Sequence, residues 1–166
     1  MKTVILIPLI IAEIFLTKPA IAQNVTLNIL TQNSGLVKKG ETVYLDVSIN
    51  NMSSTDSVPA YKLKPKISVP SNVSIEETGH NLPHGWTITS NSGADITLSN
   101  GKDRIPALAR RTILILLKAK NAGGPSTISG QMLFSNGIAP GLIPGASTSG
   151  DSASDNISTT TCKTIK

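Results

Sequence analysis

Residues 42–50, which read Thr-Val-Tyr-Leu-Asp-Val-Ser-Ile-Asn, decide the fold class of this chain. Apolar side chains occupy every second position of this stretch, at Val43, Leu45, Val47 and Ile49. Because side chains alternate between the two faces of an extended strand, this period of two predicts a β-strand with one buried face. Gly40 before the run and the polar tract that follows Asn51 predict turns at both ends.

Similar short runs recur along the chain, separated by Gly, Pro, Asn and Ser, and none of the intervening stretches has sustained helical spacing. Pro65 lacks the N–H group that a strand ladder needs, which predicts that its strand lies at a sheet edge or contains a bulge. In residues 112–119, apolar side chains occupy both the odd and the even positions, so both faces of a strand would be apolar. This pattern predicts a central strand covered, at least in part, on both faces. The further predicted strands cover residues 25–29, 61–69, 73–75, 86–89, 96–98, 126–134 and 157–165.

This pattern predicts an all-β protein with a single antiparallel immunoglobulin-like β-sandwich. About eight to nine strands with turn signals at intervals of about 8 to 12 residues are typical of such a sandwich, and the chain leaves no room for crossover helices. We expect the domain to cover residues 23–166, with an unusually long loop at about 136–156.

The first 22 residues predict a secretory signal peptide. A basic second residue precedes an apolar run over residues 4–16, and the small residues that end at Ala22 predict cleavage after that position. The alternative is an N-terminal membrane anchor, but the run is shorter than the ~20 residues of a spanning helix and contains Pro8 and Glu13. We therefore expect a protein that is secreted, extracellular or at the cell surface, with the periplasm as a further destination, and with no stable membrane insertion after cleavage.

The composition fits an exported β-rich protein. Charged residues make up 15% of the 166 residues, against roughly 25% in a typical domain. The net charge is +5, but the basic residues do not form a dense cluster beside aromatic or amide side chains that could contact bases. Because nucleic-acid binding needs such a cluster, no nucleic-acid partner is expected. We interpret the basic clusters as solvated strand faces and edge lysines that discourage aggregation: Lys38-Lys39, Lys62/Lys64/Lys66, Arg110-Arg111 and Lys118/Lys120.

The sequence predicts no enzyme and no cofactor. It lacks a Gly-x-Ser-x-Gly elbow, and its two histidines, His80 and His84, lie in one loop. These histidines and the nearby Glu76 and Glu77 have metal-ligand side chains, but the glycines and proline around them break any helix that would place the histidines on one face. We interpret this segment as a surface loop.

Two further groups of residues have alternative interpretations. Asp151, Asp155 and Asn156 offer oxygen ligands for calcium in the long loop, or they form a turn whose side chains cap their own backbone. Four Asn-x-Ser/Thr sequons matter only if the source glycosylates such sites, and they begin at Asn24, Asn51, Asn72 and Asn156.

Trp86 and Cys162 are each the single residue of their type. An exposed Trp86 could stack on a sugar ring or anchor a partner, whereas a buried one fills the core, which is the preferred interpretation. Cys162 has no partner for an internal disulfide and is expected as a free thiol that packs in the last strand, with an intermolecular disulfide as the alternative.

The order of these features resembles a known family. Four segments are similar to the bacterial extracellular "conserved repeat" domain, an immunoglobulin-like module of unknown function in surface and secreted proteins: 40–51, 82–88 (Leu-Pro-His-Gly-Trp-Thr-Ile), 105–107 and 150–161. The resemblance implies a non-enzymatic structural or adhesive module. Cohesins share a similar Gly-Glu-Thr opening, so a carbohydrate- or protein-binding accessory module is the alternative. Either function implies a protein or a cell-surface glycan as the partner.

Overall fold

The computed structural model describes residues 24–135, 142–143 and 153–166. The predicted signal peptide, its cleavage point after Ala22, and Asp151 lie outside the described residues. Within the described part of the chain there is no α-helix, and eleven strands form two sheets.

The strands are β1 (Val25–Thr31), β2 (Leu36–Lys38), β3 (Thr42–Asn51), β4 (Leu63–Ser68), β5 (Val73–Ile75), β6 (Thr87–Asn91), β7 (Asp95–Ser99), β8 (Arg110–Ala119), β9 (Gly123–Ser135), β10 (Leu142–Ile143) and β11 (Ile157–Ile165). Two short 3₁₀ turns, Gln32–Gly35 and Ala153–Asn156, precede β2 and β11. Of the long loop predicted at about 136–156, the structure describes β10 and the second of these turns.

The first sheet has the order β1-β3-β8-β5, and every pair in it is antiparallel. The predicted alternation in residues 42–50 is confirmed, because the four apolar side chains of that stretch are at most 4% exposed. Their neighbours continue the same buried row, since Val47 lies opposite Ile29 on β1 and opposite Ile113 on β8. This face forms one half of the core.

The second sheet has the order β2-β11-β9-β4-β7-β6, with β10 paired to the end of β9. The chain crosses from the first sheet to the second between β1 and β2, and β2 then pairs with β11 in parallel. The predicted antiparallel sandwich is confirmed, with β2–β11 as one parallel pair. The sequence did not indicate this pair, because a strand of three residues is too short for its alternation to be recognised. In the lettering of immunoglobulin domains, the first sheet corresponds to strands A, B, E and D, and β11, β9 and β4 correspond to G, F and C. β6 and β7 form an added hairpin beside β4, and the fold is an immunoglobulin-like sandwich.

The position predicted for the strand that contains Pro65 is also wrong. This strand, β4, lies inside the second sheet between β9 and β7 instead of at an edge. The backbone of Leu63 faces the β7 side, where Asn100 binds both its N–H and its C=O groups. The backbone of Pro65 faces this same β7 side, but the pairing between β4 and β7 begins only at Lys66. Because no β7 residue pairs with Pro65, its missing N–H group costs the sheet no hydrogen bond.

The predicted double coverage of the 112–119 strand is confirmed in part. On the outer face of β8, Leu114 and Leu116 are half-buried. The irregular segment that follows β5 lies along this strand, because the N–H groups of Glu76 and Asn81 donate to Leu116 (3.0 Å) and Leu114 (2.9 Å). No helix among the described residues has the length and apolar composition needed to cross a bilayer.

Candidate binding site at the cap

Two loops run side by side across one end of the sandwich. The loop from β3 to β4 and the loop from β7 to β8 pair through Val58 and Ile105, whose backbone N–H groups donate to each other's carbonyl groups at 2.8 and 3.1 Å. Both side chains are fully buried and close the core at this end. We call residues 52–61 and 100–109 the cap.

Asn51, the last residue of β3, fixes the cap from below. It is 1% exposed. Its amide nitrogen donates to three carbonyl oxygens, those of Asp56 (2.7 Å), Pro106 (2.9 Å) and Ile105 (3.2 Å). Its amide oxygen accepts from the N–H of Ser53 at 3.1 Å. One buried side chain therefore joins both cap loops to the first sheet.

Asn100 performs the same task for the second sheet. It is fully buried, and its amide nitrogen donates to the carbonyl oxygens of Pro59 and Asp103, both at 2.8 Å. Its amide oxygen accepts from the N–H of Leu63, the first residue of β4, at 2.9 Å. The two asparagines satisfy loop carbonyls that a buried apolar residue would leave unpaired.

A cluster of Trp86, Asp103 and Arg111 braces the side of the cap. The indole Nε1 donates to Asp103 Oδ2 at 2.8 Å. Arg111 binds the same carboxylate in a bidentate way, from Nε to Oδ2 at 2.7 Å and from Nη2 to Oδ1 at 3.0 Å. Such paired, charge-assisted bonds fix the geometry of both partners, so the cap is held rigidly to β8.

The surroundings of Asp103 keep it ionised. Burial is the largest influence and favours the neutral acid, but the hydrogen bonds from Arg111 and Trp86 and the positive charge of Arg111 outweigh it. The pKa of Asp103 is therefore lower than that of an ordinary aspartate. The hydrogen bond with Asp103 raises the pKa of Arg111 in turn.

The outer face of the cap presents three large apolar side chains: Met52 (52% exposed), Tyr61 (52%) and Leu108 (71%). Met52 and Leu108 lie at the same end of the paired loops, because the N–H of Leu108 donates to the carbonyl of Ser53 at 3.1 Å. Tyr61 lies at the other end, where its N–H donates to Gly101 at 2.7 Å. Tyr and Met are enriched in protein–protein interfaces.

Tyr61 and Leu108 also have unfavourable backbone conformations. Their φ angles are 59° and 57°, in the left-handed region where a side chain other than that of Gly, Asn or Asp costs roughly 1–2 kcal/mol. Neither side chain recovers this cost by full burial, since each is at least half exposed. Strain of this kind concentrates at binding sites, so these two residues mark the cap as a candidate site.

The charge around the apolar side chains is positive. Lys102, Arg104 and Arg110 are exposed. Arg104 is oriented by a bond from its Nε to the Ser57 hydroxyl at 2.7 Å, and Arg110 donates to the hydroxyl of Ser48. The cap therefore combines an apolar surface with two cations of its own, and Arg110, the first residue of β8, adds a third beside it. Asp56 contributes one carboxylate, so the net charge of these groups is positive.

The structure places Trp86 in the core. The side chain is 5% exposed, which agrees with the preferred interpretation of a core residue and leaves no open ring face for a sugar. The sequence pattern did not indicate Tyr61 or Leu108, because no residue type or spacing signals a left-handed tyrosine or leucine.

The histidine loop does not assemble a metal site. His80 Nδ1 accepts from the N–H of Leu116 at 3.1 Å, and its Nε2 donates to the carbonyl of Glu76 at 2.9 Å, so both ring nitrogens are used. His84 is exposed. Among the described residues, no group of three His, Cys, Asp or Glu side chains is arranged to hold a metal ion.

The calcium candidates are described only in part. Asp155 is half-buried and Asn156 is 5% exposed, both in the 3₁₀ turn before β11, while Asp151 lies outside the described residues. A calcium site there stays a prediction. Three of the four sequon asparagines are at most 9% exposed, namely Asn51, Asn72 and Asn156, so a glycan at these positions would require local opening.

Cys162 is fully buried in β11 and is a free thiol. Burial raises its pKa. An intermolecular disulfide would require this strand to open, so the structure favours the packing interpretation.

Comparisons with known proteins identify the fold. No protein-family model matches the chain, and no curated protein matches its sequence. Among solved structures, a cohesin module from a family 33 glycoside hydrolase of Clostridium perfringens has a TM-score of 0.56 at 11% identity, covering 85% of this chain and 98% of that chain. A non-cellulosomal cohesin from the archaeon Archaeoglobus fulgidus has a TM-score of 0.50 at 9% identity, covering 86% and 92%. The major pilin SpaD from Corynebacterium diphtheriae has a TM-score of 0.52 at 8% identity, covering 85% of this chain and 33% of the pilin.

At such low identities these similarities establish the immunoglobulin-like sandwich fold and nothing finer. Membership of the "conserved repeat" family stays a prediction.

Proposed function

We propose that this chain is a secreted or cell-surface, non-enzymatic adhesive module that binds a protein partner through its cap. The observation that carries the proposal is the exposure of Tyr61 and Leu108 in left-handed conformations. A leucine with a strained backbone and a side chain that is 71% exposed does not stabilise the fold. Binding of a partner that covers this side chain would be stabilised by the burial of its apolar surface.

The chemistry of the cap defines the partner. Met52, Tyr61 and Leu108 would meet an apolar patch, and the three surrounding cations, Lys102 and Arg104 among them, would meet acidic side chains. Complementary charge of this kind guides association and excludes partners with the wrong charge. The expected partner is therefore a protein whose apolar patch has an acidic rim.

The remaining parts of the proposal rest on the sequence. The predicted signal peptide supports export, and the predicted domain at residues 23–166 supports one sandwich as the mature unit. The resemblance to the "conserved repeat" domain and the structural similarity to cohesin and pilin domains support a binding role without catalysis. The carbohydrate-binding alternative loses its main candidate residue, because Trp86 is buried.

The test uses the purified chain without its first 22 residues on a defined array of purified extracellular proteins and neutral glycans. We expect binding to at least one protein, and a loss of at least tenfold in affinity in the double variant Tyr61→Asn/Leu108→Asn. Asparagine tolerates the left-handed conformation, so the variant removes side-chain contact while the backbone is retained.

The matched control is Leu30→Thr, which removes an exposed leucine (62% exposed) from β1, outside the cap. Its binding should stay within twofold of the parent chain. Binding only to neutral glycans, no binding to any protein, or equal loss in the control would contradict the proposal, as would turnover of any substrate by the purified chain.

A further inference from the structure

At the end of the sandwich opposite the cap, three lysine pairs that are far apart in sequence come together. Lys38 ends β2 and Lys39 follows it in the turn to β3. Lys118 lies near the end of β8 and Lys120 just after it, and Lys163 and Lys166 have the same positions relative to β11. All six side chains are exposed. We call these six residues the lysine band.

Backbone hydrogen bonds bring the three pairs together. The N–H of Lys39 donates to the carbonyl of Ile165, in the last strand, at 2.9 Å. The next residue, Gly40, donates to Ala119 at the end of β8, also at 2.9 Å. The turn that contains Lys39 is therefore fixed between the ends of the two other lysine-bearing strands.

The positive charge of the band is not neutralised within the described residues. The ion pairs in this part of the chain are Lys66–Asp95 and Arg111–Asp103, and neither includes a lysine of the band. Glu41 is the one acidic residue in the β2–β3 turn, and it is exposed without an ion pair. Six ammonium groups beside this one carboxylate leave a net positive charge, and their mutual repulsion costs stability that a bound anion would relieve.

The band crosses the end of the sandwich from one outer face to the other. Lys118 is exposed on β8 between the buried Leu117 and Ala119, so it points outward from the first sheet. Lys163 is exposed between the buried Cys162 and Thr164 and points outward from the second sheet. A flat bilayer could not meet both faces at once, whereas a flexible chain of anions that passes over the end could.

The residue types also define the ligand. All six residues are lysines, whose ammonium groups are point charges without the fixed fork that arginine uses for a single carboxylate or phosphate. Among the described residues, the aromatic side chain nearest the band is Tyr44 on β3, which is half-buried and donates its hydroxyl to the carbonyl of Gly79 at 3.3 Å. Trp86 and Phe134 are buried and Tyr61 lies on the cap, so no row of exposed rings accompanies the lysines for bases to stack on. We propose that the lysine band binds a linear acidic polysaccharide, in which negative charges repeat along a flexible chain.

This proposal does not depend on the function of the cap, since the two surfaces share no residue. The probe is alginate, a linear polysaccharide with one carboxylate on each sugar, titrated into the purified chain without its first 22 residues. We expect saturable binding at 50 mM NaCl that weakens at least tenfold at 300 mM NaCl, because released counterions drive such binding. Neutral dextran should not bind.

The double variant Lys39→Gln/Lys120→Gln should weaken alginate binding at least tenfold. The control Lys62→Gln/Lys64→Gln removes the same net charge from residues outside both the cap and the band and should stay within twofold. Thermal unfolding of both variants verifies that each is folded.

Three results would overturn the proposal: no alginate binding at 50 mM NaCl, an equal loss in the control, or tighter binding of duplex DNA or of anionic phospholipid vesicles than of alginate under the same conditions.

Discussion

Single buried side chains hold the cap in place. Asn51 and Asn100 are almost fully buried, and together they bind five carbonyl oxygens and two N–H groups of the backbone. A buried polar group without a partner costs about 1–3 kcal/mol, so removing one of these amides leaves several groups unsatisfied at once.

Asn100→Ala should therefore lower the free energy of unfolding by about 2–4 kcal/mol, because Leu63 loses a buried hydrogen bond and Pro59 and Asp103 each lose a partly buried one. Chemical denaturation followed by circular dichroism measures this change. Asn121→Ala, at an exposed position, is the control and should change stability by less than about 0.5 kcal/mol. Equal effects in the two variants would show that the amide of Asn100 does not support the cap.

Asp103 should make stability depend on acid pH. Its pKa is lowered in the folded chain, so its contribution is fully present above the pKa of the unfolded aspartate, about 3.9, and is lost as the pH falls through the folded pKa. The ionised carboxylate binds Arg111 and Trp86, and the protonated acid binds both more weakly.

We expect Asp103→Asn to be less stable than the parent chain by about 1–3 kcal/mol at pH 7, because charge-assisted hydrogen bonds are lost. The difference in stability between the two chains should narrow as the pH falls below about 3.9, because the carboxyl of the unfolded parent chain is then protonated while the folded state still favours the ionised form. Denaturation curves at pH 7, 5, 4 and 3 measure it. A gap that stays constant over this range would show that the ionised form of Asp103 is not what stabilises the cap.

At the scale of elements, the turn between β7 and β8 depends on a close approach of two backbones. Gly101 has a φ of 40°, and a Cβ atom at this position would lie 2.2 Å from the carbonyl oxygen of Gly85. The Gly85-Trp86 step can therefore pass beneath the cap only if residue 101 has no side chain.

Gly101→Ala should destabilise the chain by about 3 kcal/mol or more, because a steric clash adds to an unfavourable φ. Gly40→Ala separates the two effects, since Gly40 has a φ of 87° but nothing within 4 Å of an added Cβ atom. We expect this control to cost about 1 kcal/mol. Thermal and chemical unfolding of both variants measure the difference, and a Gly101→Ala variant as stable as the control would mean that the two backbones are not in contact.

Elements differ in how well their sequences predict them. β3 could be predicted because apolar and polar residues alternate from Thr42 to Asn50, and every apolar one of them is buried. β2 could not, since its three residues are too few for a period and it forms a strand only through its partner β11. Pro65 led to the wrong position for β4, because a proline in a strand normally indicates a sheet edge. The structure tolerates it inside the sheet because no β7 residue pairs with Pro65, which the sequence does not show.

At the scale of the whole molecule, the sandwich presents two different ends. The cap combines apolar side chains with cations, and the opposite end carries the lysine band. In the sequence, Lys38-Lys39 and Lys118/Lys120 are two separate clusters, each typical of a solvated strand face or edge. Their convergence depends on the pairing of distant strands, which local sequence does not encode. The fold could be predicted from alternation and turns, whereas both surfaces depend on tertiary contacts.

Tyr61 and Leu108 keep strained conformations for a partner and not for folding. The free energy of unfolding of Tyr61→Asn/Leu108→Asn, measured by chemical denaturation, separates the two roles, since asparagine accepts positive φ more readily. We expect this variant to be as stable as the parent chain, or more stable by up to about 2 kcal/mol, while it loses binding to the protein array. A loss of stability of more than about 1 kcal/mol would show instead that the two side chains support the fold itself.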